Sequence, residues 1–123
     1  MRYQATKIPV RCSRQTVQAW ANYMITHADE VTSALRQEGV RHELWFLGQD
    51  DASLYVIGVM DVDDKAASVA ISNRSTLSVD RVHRRFKKTW DRTAAQRVPA
   101  DPLTVPEFPD CVLLFEAWAN PSG

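Results

Sequence analysis

Residues 40–62 read VRHELWFLGQDDASLYVIGVMDV, and the fold follows from how this stretch is divided. Its two flanks, 40–48 and 53–62, are rich in β-branched and aromatic residues, which suit a pleated, half-buried surface. Between them Gly48-Gln49-Asp50-Asp51 is a turn by composition, so the pair predicts a β-hairpin. Upstream, Val17, Trp20, Met24, Ala28, Val31 and Leu35 recur at spacings of three and four. That is one face of a helix of roughly 25 residues, with Ser13 as N-cap and Gly39 as its C-terminal stop. Residues 3–11 (YQATKIPVR) alternate loosely and suit a first strand.

Downstream, Asp63 or Asp64 can cap a second helix from Lys65. Ser72-Asn73-Arg74-Ser75-Thr76 is poor helix material and predicts a break, after which a helix resumes near Ser78. Val79, Val82, His83, Phe86 and Trp90 mark its inner face. Four prolines lie within 97–110, predicting an extended loop, and CVLLFEAW at 111–118 is the last strand.

The 123 residues suffice for one domain, spanning 1–123, and composition is that of a globular protein, 45% hydrophobic and 24% charged. Fifteen basic residues balance fifteen acidic ones, which points away from nucleic acid and membrane as partners. No apolar run approaches the roughly 20 residues that span a bilayer. Met1–Ala5 lacks the apolar core of a signal peptide, so a cytoplasmic location is expected. Cys12 and Cys111 are too few for a disulfide framework, and His27, His42 and His83 have no metal-ligand spacing. No metal or cofactor is expected.

The order strand–helix–strand–strand–helix–strand is the split βαβ arrangement of ferredoxin-like α+β domains. It predicts a four-stranded antiparallel sheet, ordered 4-1-3-2, with two helices on one face. Alternate residues then separate the faces. Leu44, Phe46, Val56, Gly58, Met60, Leu113, Phe115 and Ala117 suit the helix side. Lys7, Glu43, Trp45, Tyr55, Ile57, Val59, Leu114, Glu116 and Trp118 fall on the other. That second face is too apolar for water and too charged for an ordinary core, and pairing it with a second copy around a partly polar cavity answers both problems.

With these elements placed, the chain resembles members of the dimeric α+β barrel superfamily, over roughly residues 5–92 and 111–118. It is most similar to an uncharacterised family of small bacterial proteins. The most particular stretch is Ser75-Thr76-Leu77-Ser78-Val79-Asp80-Arg81-Val82-His83-Arg84-Arg85-Phe86. It is similar to a pattern in which Ser-Thr-His-Pro opens a helix carrying a later histidine. Here Leu77 and Ser78 stand where that His-Pro would be, and His83 is retained. The resemblance implies a homodimer. Its relatives include cofactor-free monooxygenases, haem-degrading enzymes and polyketide cyclases, so it implies no single activity.

Three residues are candidates for moving protons. His83 lies in the apolar stripe of its helix, where it is either a general acid or base or a core histidine bonded to a carbonyl or carboxylate. Glu43 and Glu116 are candidate cavity acids if desolvated beside Trp45 or Trp118. The alternative is a salt bridge, for instance Glu116 with Lys7. Lys7, Trp45, Tyr55 and Trp118 are candidate ligand-binding residues or dimer-interface residues. The basic run Arg81, Arg84, Arg85, Lys87, Lys88 and Arg92, beside Asp80 and Asp91, reads as a solvated helix face. If the first and last strands are neighbours, Cys12 and Cys111 lie close together. The expected function is binding of a small hydrophobic or aromatic molecule at the sheet face. An enzyme of monooxygenase or cyclase type using the same cavity, and an interaction module without a ligand, are the alternatives.

Overall fold

A computed structural model describes residues 1–121. The fold is α+β, with one five-stranded antiparallel sheet and four α-helices. The elements are β1 (Tyr3–Pro9), α1 (Arg14–Thr26), α2 (Ala28–Glu38), β2 (Val40–Gln49), β3 (Leu54–Val62), α3 (Lys65–Arg74), α4 (Ser78–Lys87), β4 (Gln96–Val98) and β5 (Val112–Trp118). The sheet order is β4-β1-β3-β2-β5.

Local chemistry explains most boundaries. Ser13 caps α1 by accepting from the Thr16 N–H, and Asp64 caps α3 by accepting from the Ala67 N–H. Gly39 ends α2 at φ 73°, where a side chain would be strained. The expected single long helix is two. At His27 the backbone turns to φ −108°, ψ 39°, and both its N–H and its Nδ1–H donate to the Tyr23 carbonyl. The imidazole stacks on the Tyr23 ring at 3.9 Å, so the side chain satisfies a carbonyl at the end of α1 and breaks the helix there. The break between α3 and α4 falls within 75–77, at the end of the expected stretch. Leu77, at the N-cap of α4, supplies no side-chain cap. Glu30 of α2 substitutes, accepting from Ser78 Oγ at 2.8 Å and from the Val79 N–H at 3.0 Å.

Two expectations about the sheet are corrected. The last strand pairs with β2, not with β1, and the short β4 takes the place beside β1. The sheet therefore has five strands where four were expected. Cys12 packs with the helix-side core, while Cys111 lies against Tyr55 on the opposite face, so the two thiols are not neighbours.

The second correction is strand parity in β2. Val40 faces Val62, but His42 faces Asp61, so two steps along β2 match one along β3. The bulge puts Val40 and His42 on opposite faces, and from His42 to Gln49 the unbroken register set by the turn pairs Leu44 with Val59 and Phe46 with Ile57. Leu44 and Phe46, expected under the helices, lie on the far face, and Glu43 and Trp45 lie under the helices. A second bulge between β2 and β5 moves Leu114 into the helix-side core and leaves Leu113 exposed.

The helices pack on one face, over a core that includes Val17, Trp20, Leu35, Trp45, Val56 and Phe86. On the other face Tyr3, Ala5, Leu44, Phe46, Ile57 and Val59 are also buried. Their cover comes from the same chain. Residues 99–111 pass from β4 at one sheet edge to β5 at the other, and Phe108 meets Phe46 edge-on at 5.1 Å. The Pro102 carbonyl accepts from the Tyr3 N–H at 3.0 Å. The proline-rich loop is thus a lid on the sheet, and this face no longer supplies the argument for a second copy.

Candidate functional site

The cavity lies on the helix side of the sheet, opposite to where the sequence placed it. The reason begins with α3. Its sequence, KAASVAISNR, buries only Ser68 and Ser72 and packs chiefly against α2 and α4. Such small side chains do not fill the layer above the sheet, so space remains. On the floor Gly58 of β3 pairs with Trp45 of β2, and the indole lies across it. A Cβ at position 58 would stand 2.7 Å from the Trp45 ring, closer than side chains tolerate, so the glycine is required by the close approach.

The space has two lobes that share Trp45, Met60, Val69, His83 and Lys87. The wider, of about 250 Å³, runs over Thr6, Ile8 and Gly58 towards Trp90 and Arg92. The narrower, of about 50 Å³, reaches between α2, α3 and α4 to Glu38, Glu43 and Asp80. It has room for a few waters.

His83 projects from α4 into a ring of tryptophans, with Trp20, Trp45 and Trp90 at centroid distances of 5.7, 5.5 and 5.7 Å. Trp20 is itself stacked on Phe86 at 4.2 Å. Trp90 is held by the Val10–Trp90 bridge and by the Asp91 N–H, which donates to the Pro9 carbonyl at 2.8 Å. Burial first, then the positive charges of Lys87 and Arg84, push the His83 pKa down to about 3, and no hydrogen bond enters that balance. At neutral pH the imidazole is therefore uncharged, a weak base, and able to hydrogen-bond to a molecule in the cavity.

The narrow lobe gathers three acids. Burial raises the Glu43 carboxyl to about 7, with Asp80 adding repulsion, while the Trp45 indole and Lys87 pull the other way. Glu38 rises to about 8 through burial, then through the like charges of Glu43 and Asp80. Asp80 is raised too, mainly by burial, and Lys87 is lowered by burial and by Arg92. Two carboxyls thus change protonation near neutrality, the range in which proton transfer is most effective.

Three buried polar atoms have no partner among the described residues: Trp20 Nε1, Trp90 Nε1 and Asp80 Oδ2. All three belong to cavity-lining residues. Buried donors and acceptors are rarely left unpaired, so these three atoms mark incompletely satisfied polarity in the residues around the cavity. Among the described residues no group of three or more His, Cys, Asp or Glu is placed to hold a metal, and no helix is long and apolar enough to cross a membrane.

Of the residues singled out from sequence, His83, Glu43 and Trp45 come together here. Lys7 and Tyr55 lie on the other face, where the Lys7 ammonium sits 4.2 Å from the Tyr55 ring and pairs with Asp50 at 2.9 Å. Glu116 was read as a cavity acid or, alternatively, as a salt-bridge partner, for instance of Lys7. Because β5 lies beside β2, its carboxylate meets His42 Nε2 at 2.8 Å instead. His42 Nδ1 is 2.8 Å from Tyr3 Oη, and Trp118 stacks on the imidazole at 3.4 Å. This is a second polar cluster, away from the cavity.

Glu38, Asp80, Lys87, Trp20 and Trp90 were not read from sequence as parts of a site. Trp20 and Trp90 stood in apolar stripes, which signal core. Asp80 and Lys87 stood in a run of charges that signals a solvated face, although Lys87 lies at i+4 from His83, the spacing that puts two side chains on one helix face.

Residues 1–110 match a family of unknown function, DUF6176, and the chain belongs to that family. The match includes every cavity residue named above and stops before β5. No match was found among the curated proteins or among the solved structures.

Proposed function

We propose that the protein binds a small, flat, largely apolar organic molecule between the sheet and α3–α4. The observation that carries this reading is a cavity of about 250 Å³ walled by Trp45, Trp90, Ile8 and Met60 and lined also by the polar side chains of Gln4, Thr6, Lys65 and Asn73. Apolar walls with a few polar groups aimed inward are the usual make-up of a small-molecule site. A cavity of about 150 Å³ accommodates one benzene ring. The wide lobe, at about 250 Å³, accommodates a ring with substituents or two fused rings.

The test is a thermal-shift series with one- and two-ring aromatic compounds on the natural chain and on Val69→Trp, which fills both lobes from α3. Ligands should raise the melting temperature of the natural chain and not that of the filled variant. Equal responses from the two proteins, or no response from either, would refute the reading.

A second reading, proton transfer on the bound molecule, is favoured by Glu43 and Glu38 at about 7 and 8 beside an uncharged His83. It corresponds to the cofactor-independent monooxygenase or cyclase type named above as an alternative. Its test is deuterium uptake in D₂O at an acidic C–H of a bound ligand. Glu43→Gln should abolish uptake and preserve affinity. Uptake that persists in Glu43→Gln and in His83→Ala would leave a binding protein only.

A further inference from the structure

Three cations and no acid line the wide lobe. Lys65 comes from α3, Lys87 from α4 and Arg92 from just beyond it. Among the described residues none of the three forms an ion pair. Lys65 Nζ donates to Thr6 Oγ1 at 2.9 Å, which fixes the ammonium over β1 and leaves two of its three N–H donors for another acceptor. The Trp90 Nε1–H belongs to the same wall and is buried without a partner.

Each lysine lies near one further positive charge. Burial and Arg97 lower the pKa of Lys65, and burial and Arg92 lower that of Lys87. The acids that act on Lys87, namely Glu38, Glu43 and Asp80, do not border the wide lobe. Glu38, Glu43 and Asp80 instead line the narrow lobe. The apolar part of the lining comes from Ile8, Trp45 and Met60. A lobe lined by cations without acids and by apolar side chains repels amines and metal ions and gains from an anion that brings its own apolar surface.

We infer that the wide lobe takes a small aromatic carboxylate, its head at Lys65, Lys87 and Arg92 and its ring against Trp45, Trp90 and Met60. This rests on the reading of the cavity as a ligand site and narrows it to one charge class. The carboxylate accepts from the ammonium groups and the guanidinium. His83 lies at the junction of the lobes, so the ring edge nearest it faces the acids of the narrow lobe.

Isothermal titration calorimetry with 2-naphthoate and its neutral counterpart 2-naphthamide separates the two claims. Naphthoate should bind at least tenfold more tightly, since a hydrogen bond to a charged group contributes roughly that much. High salt should erode the difference. Lys65→Met and Arg92→Gln should each weaken naphthoate about tenfold and leave naphthamide unchanged. Arg85→Gln, exposed on the outer side of α4, should alter neither. Equal affinity for both compounds would overturn the anion inference while leaving the cavity reading intact. An Arg85→Gln loss as large as that of Lys65→Met would overturn it too, by showing nonspecific attraction to the basic helix. Binding of neither compound would overturn both.

Discussion

Replacing Glu43 by glutamine should stabilise the protein at alkaline pH and leave it nearly unchanged at acidic pH. Burial holds the folded-state carboxyl at about 7, against an ordinary 4.5. Because the folded value is the higher one, the native state binds more protons than the unfolded chain between those limits. Stability therefore declines as pH rises from 4.5, and the deficit is complete above about 7. At about 1.4 kcal/mol for each tenfold, it approaches about 3 kcal/mol. Glutamine has nearly the shape of the protonated acid and never ionises, so it removes the deficit. Glu38 then loses a like-charged neighbour, which adds to the gain, and Lys87 loses an opposite charge, which offsets it.

Urea unfolding at pH 4 and pH 9, followed by far-ultraviolet circular dichroism, should give coincident curves at the lower pH. At the higher pH Glu43→Gln should gain about 2 to 3 kcal/mol with an unchanged slope. If Glu43→Gln were instead less stable at pH 9, the carboxylate would be ionised and satisfied in the native state, and the description of the narrow lobe would be wrong. A buried acid that lowers stability in this way is a feature of a site more than of a core.

Gly58→Val should drive the Trp45 indole off β3, at a cost of about 1 to 3 kcal/mol in chemical denaturation and with loss of cavity ligand binding. Phe108→Ala should uncover Phe46 on the far face, destabilise by about 2 kcal/mol and promote self-association in sedimentation. A chain that stayed monodisperse would count against residues 99–111 as the cover of that face. His42→Phe keeps a ring under Trp118 but leaves the buried Tyr3 hydroxyl without its partner, so a loss of about 1 to 3 kcal/mol is expected. Affinity for a cavity ligand should not change, because this cluster lies across the sheet, and calorimetry on the two proteins would show it.

The local elements were legible because their signals are local. The hairpin, the Ser13 and Asp64 caps, the Gly39 stop and the break after Arg74 each rest on a few adjacent residues. One local signal was missed, the break at His27 that splits the expected long helix in two; the other failures were non-local. A long proline-rich connection can deliver the last strand to either sheet edge, and nothing in CVLLFEAW distinguishes β1 from β2 as its neighbour. The parity of β2 hung on the register through the turn that pairs Gln49 with Leu54, and both of its faces are apolar enough to pass for core. With parity inverted, Trp45 and Glu43 were placed beside Tyr55, Glu116 and Trp118, and the cavity on the wrong side of the sheet. His83 survived because a helix stripe has no bulge to invert it. Lys87, Asp80 and Glu38 went unread because a charge at a helix end looks solvated until α2 docks on α4.

The four tryptophans allow the ligand site to be located directly. Trp20, Trp45 and Trp90 line the cavity, and Trp118 sits on the opposite face against His42. In ¹H–¹⁵N spectra each indole N–H gives one resonance, assignable by single Trp→Phe substitutions. Titration with 2-naphthoate should move the Trp20, Trp45 and Trp90 signals together along one saturation curve and leave Trp118 in place. Movement of Trp118 alone, or of none of the four, would contradict a ligand site between the sheet and α3–α4.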